Sequence, residues 1–491
     1  MLRKIRISLA VACLTLITLL FLDFTGTCAR WFGWLAKIQF LPALMALNAG
    51  IIVGLVLFTL VFGRIYCSVI CPLGVMQDCF AALGKRAKKN RYRYSPALNT
   101  LRYTMLALMV LSIVFGISAF VALLAPYSTY GRIAQTILSP IWLLGNNLLA
   151  RWAEAEGSYT FYNVDIWLRG WITLGVASAT LIILGILAWR NGRTYCNTIC
   201  PVGTVLGFLS RFSLLKPTID TSKCNACGLC ARNCKAACID SKQHKIDYSR
   251  CVACFDCIDK CHHGAISYTF RHKATQSTGN NVDASRRRFL SATAMAAVAG
   301  AIEAEEKIID GGLAAIEEKK KPQRRTPIVP PGSQSLKHLT DRCTACQLCV
   351  AACPNGVLRP STDISRLMQP ESSYERGYCR PECTRCSEAC PAGAILPIDR
   401  AEKSSIQIGH AVWIKSNCVV LTDDVACGNC ARHCPTGAIT MVPSNPANEE
   451  SPKIPVVDSE RCIGCGACEN LCPARPFSAI YVEGHERHRT I

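Results

Sequence analysis

The chain has 491 residues, half of them hydrophobic, a formal net charge of +20 and 32 cysteines. The apolar excess is concentrated in about the first 190 residues, and the basic residues lie largely beside it. That placement belongs to membrane orientation and argues against nucleic-acid binding. A disulfide framework suits a short secreted chain, whereas 24 of these cysteines fall into six tight groups of four, so thiolate metal ligation is the expected chemistry. No Cys-x-x-Cys-His occurs, and no histidine precedes His244, which removes c-type haem and the usual axial ligands of an intramembrane haem.

Four apolar runs, at 6–22, 41–62, 103–124 and 171–189, are long enough to span a bilayer or nearly so. A fifth piece, 136–150, is too short to span and reads as interfacial. The segment after the second run carries Arg64, Lys85, Arg86, Lys88, Lys89, Arg91, Arg93 and Arg102 against the single acid Asp78. The segment after the fourth has Arg190, Arg193, Arg211 and Lys216 before any acid. The positive-inside rule therefore predicts four spans with both ends of the unit in the cytoplasm.

The two basic exits are copies. RIYCSVICPLG (64–74) and RTYCNTICPVG (193–203) both fit Arg-x-Tyr-Cys-x-x-Ile-Cys-Pro-x-Gly, at a constant offset of 129 residues. Two repeated units would bring Cys67, Cys71, Cys196 and Cys200 to one membrane face, and cysteines at i and i+4 share a side of a helical turn. These four are the predicted redox-active thiols, as the ligands of a further cluster or as dithiols. The isolated Cys13, Cys28, Cys79 and Cys238 read as ordinary buried thiols.

Residues 224–261 carry Cys224, Cys227, Cys230, Cys234 and then Cys251, Cys254, Cys257, Cys261, both with two-two-three spacing. Three close cysteines take three corners of a [4Fe–4S] cube and the fourth usually ligates the other cluster. Cys261 is thus expected to complete the first site and Cys234 the second. Structural zinc sites lack this third close cysteine with a distant partner. Lys235 and His262 stand where proline normally follows the fourth cysteine.

Residues 271–335 read as linker, with one exception. Ser285-Arg-Arg-Arg-Phe-Leu290, followed by the small-residue run 291–302, has the form of a twin-arginine export signal, with Arg286 and Arg287 as its pair. Four more quartets follow, each ending in Cys-Pro. They are Cys343, Cys346, Cys349, Cys353; Cys379, Cys383, Cys386, Cys390; Cys418, Cys427, Cys430, Cys434; and Cys462, Cys465, Cys468, Cys472. With the first two quartets they specify six [4Fe–4S] clusters. The four are expected to nest, first with last and second with third.

The fold class expected is a membrane α-helical domain of four spans, or five with the export segment retained, plus two α+β ferredoxin-like domains. The divisions are 1–215 (membrane), 216–270 (cytoplasmic two-cluster ferredoxin), 271–335 (linker with signal or anchor) and 336–491 (periplasmic four-cluster ferredoxin). Residues 1–270 resemble the NapH/NosR/CcoG type of membrane ferredoxin, on the four runs, the paired Cys-x3-Cys-Pro motifs and the two-cluster segment. Residues 285–491 resemble the exported four-cluster NapG/MauM type. The resemblance implies a bacterial inner-membrane quinol dehydrogenase that takes electrons from the quinone pool, as menaquinol or ubiquinol, to a periplasmic reductase or cytochrome, with no nucleic-acid partner. A redox assembly or maintenance factor, and a conduit from a cytoplasmic donor, are the rival readings. Arg30, Lys37 and Gln39 on one outer loop and Glu154 and Asp165 on the other are the polar candidates for a quinol pocket.

Overall fold

Helix Leu2–Leu22 opens the chain, uninterrupted over 21 residues and so about 30 Å long. The computed structural model describes residues 1–87, 90, 92–158, 160–167, 169–270, 309–310, 314–315 and 317–491. The twin-arginine stretch 285–302 lies outside the described residues.

Among the described residues, two helices are long and apolar enough to cross a membrane, Leu2–Leu22 and Trp171–Asn191. Four continuous spans were expected, and the other two runs are broken. The run 41–62 divides into Phe40–Met45 and Ala49–Phe62. Leu47 there takes a left-handed conformation (φ 54°) and the Asn48 side chain caps the next helix by accepting from Ile51 N–H at 3.2 Å. The run 103–124 divides into Asn99–Val114 and Ser118–Leu124 around Gly116 (φ 70°). The piece read as interfacial is a π-helical turn, Ala134–Leu138, continued by helix Ser139–Ala155.

Both copies of the cysteine motif fold alike. A positive-φ glycine, Gly63 or Gly192, ends the preceding apolar helix, as helix C-termini commonly require. A short helix then holds the first cysteine (Ile65–Val69 and Thr194–Thr198), and the second cysteine caps a new helix with proline in its first turn (Pro72–Arg86 and Pro201–Ser210). Proline at that point costs no hydrogen bond and presets the backbone angle.

The ferredoxin segments are built on two-stranded antiparallel hairpins. Leu215–Ile219 pairs with Ile266–Phe270 around the first two quartets. A hairpin also stands inside each neighbouring pair of quartets: Ile239–Asp240 with Lys245–Ile246, Leu358–Pro360 with Pro370–Ser372, and Ile439–Asn445 with Asn448–Val457. Strands Ile406–Trp413 and Ile480–Thr490 tie the last half of the chain together. One apolar core runs through the helical unit and residues 216–270 and takes in Cys346 and Leu348 of the C-terminal half.

Candidate iron–sulfur sites

Four of the six cysteine loops share one backbone device. In Cys-x-x-Cys-x-x-Cys, the residues just before and just after the middle cysteine are left-handed: Ala226 and Gly228, Ala253 and Phe255, Ala345 and Gln347, Gly464 and Gly466, with φ between 47° and 80°. Non-glycine residues adopt this conformation only under constraint. Alternating backbone hand turns successive N–H groups toward one concave side, an anion-binding cradle suited to a negatively charged cluster. The two quartets with irregular first gaps depart from it, Cys379–Cys386 having no left-handed residue and the Cys418 loop a single one, Asp424.

The fourth cysteine of each quartet lies with the neighbouring loop. Cys234 stands within charge range of Cys254 and Cys257, and Asn225 meets His263 at 3.0 Å, which brings the Cys261 turn to the first loop. The C-terminal quartets are not nested. Cys390 lies with Cys343, Cys346 and Cys349, and Cys353 with Cys379, Cys383 and Cys386. Cys472 lies beside Cys430 of the third loop, and Cys434 beside Cys462 and Cys465. The hairpins explain the correction: each returns the chain to the quartet it has just left, so sequence neighbours exchange ligands. Backbone N–H groups of Ala345, Ile395, Ala438 and Ala479 donate to Cys343, Cys390, Cys434 and Cys472 Sγ at 3.3–3.4 Å.

Among the described residues no three His, Cys, Asp or Glu side chains close on a single point; the thiols stand as neighbours. The fit to iron rests on the donor set and the cradle. Burial pushes the Cys346 and Cys465 thiols up to about 12, so a bound cation is needed to hold such sulfurs as thiolates.

Cys67, Cys71, Cys196 and Cys200 are all buried and come together as the repeat predicted, close enough for their charges to interact. The two motif arginines cross between copies. Arg64 donates to Cys196 O at 3.2 Å and to Cys67 Sγ at 3.9 Å, while Arg193 donates to Cys67 O at 2.6 Å. Gln77 donates to Cys196 Sγ at 3.2 Å. The motif glycines make room for the crossing: a Cβ on Gly74 would lie 2.3 Å from Cys67 O and 2.7 Å from the Arg193 guanidinium, and one on Gly203 2.2 Å from Cys196 O and 2.9 Å from that of Arg64. Both arginines were visible in the repeated motif, but only the fold shows where they reach.

Asp78 binds three cations, Arg193 at 2.6 Å, Lys235 at 2.8 Å and Arg6 at 2.9 Å. Burial opposes its charge, yet Arg193, Lys235 and Arg6 hold its carboxyl well below the usual carboxylate range. Lys235 thus stands in place of the usual proline because it docks the ferredoxin segment on the helical unit. Cys238, read as an ordinary buried thiol, lies 3.5 Å from Cys234 Sγ.

On the other side of the four thiols, Tyr66 Oη donates to Gln39 and accepts from Phe40 N–H, both at 3.0 Å. Tyr195 Oη donates to Leu124 O at 3.3 Å. The broken apolar runs thereby meet the motif through their half-helices. Buried Tyr127 is within charge range of both Tyr66 and Cys346, and a Cβ on Gly131 would lie 2.3 Å from Cys346 O. Further out, Cys379 N–H donates to Cys465 O at 2.9 Å. The thiol sites thus follow one another in the order 224, 251, the four motif cysteines, 343, 379, 462 and 418, each numbered by its first cysteine.

The quinol candidates do not converge. Gln39 is on Tyr66, Glu154 accepts from Asn163 at 3.3 Å, Arg30 and Lys37 lie on the short helices Thr27–Phe32 and Trp34–Lys37, and Asp165 lines a cavity.

Paired cysteine loops around antiparallel hairpins define a ferredoxin-type iron–sulfur protein. A 4Fe-4S binding domain family matches residues 45–91 and 171–219, the two motif copies. A 4Fe-4S dicluster domain matches 425–475, and a further 4Fe-4S binding domain matches 337–359. The ferredoxin-type protein NapF of Escherichia coli is 30% identical over 159 residues, 32% of this chain and 87% of NapF. The methylamine utilization ferredoxin-type protein MauM of Paracoccus denitrificans is 32% identical over 165 residues, 33% of this chain and 73% of that protein. MauM of Methylobacillus flagellatus is 32% identical over 153 residues, which span 64% of its length and 30% of this chain. No solved structure matches the chain. The chain belongs to the family of ferredoxin-type iron–sulfur proteins that includes NapF and MauM.

Proposed function

We propose that this is a multi-pass inner-membrane protein that oxidises menaquinol or ubiquinol and delivers the electrons to a periplasmic reductase or cytochrome, a NapH-like half fused to an exported NapG-like half. The observation that carries the reading is the unbroken succession of thiol sites from the helical unit to the last C-terminal lobe. The six quartets would hold [4Fe–4S] clusters, and Cys67, Cys71, Cys196 and Cys200 a seventh cluster. Such clusters take and give single electrons, at potentials set by charge and hydrogen bonding around them. Arg64, Arg193 and Gln77 supply positive charge and donors at the motif thiols. The broken runs cross the bilayer as discontinuous helices, tolerated there because their free backbone groups are met inside the protein.

A second reading is favoured by one contact. Arg64 donates to Ser249 O at 3.0 Å, two residues before Cys251, so the 216–270 sites stand in line with the motif thiols. Electrons from a cytoplasmic donor could enter there. Purified protein mixed with menadiol decides between the two: reduction of the clusters supports the quinol reading, and no reduction leaves the cytoplasmic donor. Iron analysis should return about 24 atoms for six cubes and more with a seventh cluster. Replacing Arg286 and Arg287 together by Lys should leave residues 336–491 protected from protease added to spheroplasts; digestion of that domain would refute the export reading.

A further inference from the structure

We propose that the cavity between helix Ser139–Ala155 and the first C-terminal lobe binds the quinol head group; this rests on the quinol reading above and gives that reaction its site. The cavity encloses about 730 Å³, within the ~300–1,000 Å³ usual for small-molecule sites. Phe21, Phe24 and Leu143 line it on the side of the helical unit, with Asp165 beside them. Cys353 and Tyr378 line it on the side of the lobe.

Three observations favour a quinol there. Helix Ser139–Ala155 exposes Ile141, Leu148 and Trp152 at 61–67%, an apolar face with an aromatic anchor of the kind found at membrane interfaces. That face is turned away from Ser139 and Leu143, which line the cavity, so it sets the helix against lipid and a quinol tail would pass around the helix to the cavity. Cys353 completes the Cys379 site, so a bound ring would sit against an iron–sulfur ligand. Asp165 lines the cavity together with Arg169, Arg376 and Arg380, which sets an acceptor and several donors around the place of a ring oxygen.

The oxidation balances as follows. Both quinol O–H bonds break and the ring becomes the quinone. Two electrons leave singly toward the iron–sulfur site that Cys353, Cys379, Cys383 and Cys386 would hold. The two protons leave in turn through the Asp165 carboxylate to water. Aromatic walls orient the ring, and Asp165 positions the departing protons.

The test uses the full cluster-loaded chain in detergent and the quinol analogue 2-heptyl-4-hydroxyquinoline N-oxide, whose fluorescence is quenched on binding. Leu143→Trp fills the cavity and should weaken this binding at least about ten-fold. Asp165→Asn should keep the binding but slow reduction by menadiol about 100-fold. Visible absorbance and its bleaching by dithionite should be unchanged in both variants, which confirms loaded clusters. If Leu143→Trp loses that absorbance, the slowed menadiol reaction of Asp165→Asn decides alone. If both variants bind and react as the unaltered chain does, the head group sits elsewhere while the quinol reading stands. If dithionite bleaches the unaltered chain and menadiol does not, the quinol reading falls and this site with it.

Discussion

The two copies of the cysteine motif share backbone, glycines, prolines and crossed arginines, yet they grip the ferredoxin segment differently. The first copy uses charge: Asp78 receives Lys235, next to Cys234. The position equivalent to Asp78, 129 residues on, is Gly207. There the Ser249 carbonyl fills the space, a Cβ on Gly207 would lie 2.4 Å from it, and Arg64 and Arg102 donate to it at 3.0 and 3.2 Å. One duplicated frame therefore docks both ends of the Cys251 site, by an ion pair at one end and by arginine–carbonyl bonds at the other. Duplication preserved the geometry around the thiols and let the outer partner diverge.

Asp78→Asn tests the charged end most severely. It leaves Arg193 and Lys235 buried without their carboxylate, an arrangement that costs about 3–5 kcal/mol. Limited proteolysis should release residues 216–270 from the helical unit; a resistance equal to that of the unaltered chain would remove Asp78 from the docking. Gly207→Ala tests the packed end, where overpacking costs about 1–3 kcal/mol. Its thermal midpoint should fall, but by less than that of Asp78→Asn. The smallest effect concerns acid. The Asp78 carboxyl is held below its ordinary range, so its contribution is present above the unfolded value and is lost only as pH falls through the lower folded value. Docking should accordingly survive from pH 7 down to about 4, and proteolytic release at pH 5 would contradict the ion-pair account.

The cysteine sets were legible because a cluster loop is mostly local: in four of the six quartets three cysteines lie within seven residues, and the other two keep the last three cysteines close. The duplicated motif was legible for the same reason. Ligand exchange among the C-terminal quartets was not, because it depends on the hairpins at 358–372 and 439–457, whose strands carry Pro360, Pro370, Pro443 and Pro455. The breaks in the apolar runs were hidden too. Leu47 is apolar and gives no turn signal, and a lone Gly116 within an apolar stretch is compatible with a spanning helix. Arg64 and Arg193 were legible as the first residue of each motif copy, but their crossed partners were not.

The crossing of those arginines has a consequence for the molecule as a whole. Contacts in which each half reaches the same place on the other are what two identical subunits make across a two-fold interface. The helical unit has that interface inside one chain. Neither half is a finished structure by itself, and a substitution at Arg64 or Gly203 is felt at the backbone of Cys196, as one at Arg193 or Gly74 is felt at Cys67. The cluster of four buried thiols and the joint between the halves are one and the same, so the halves cannot part without opening it.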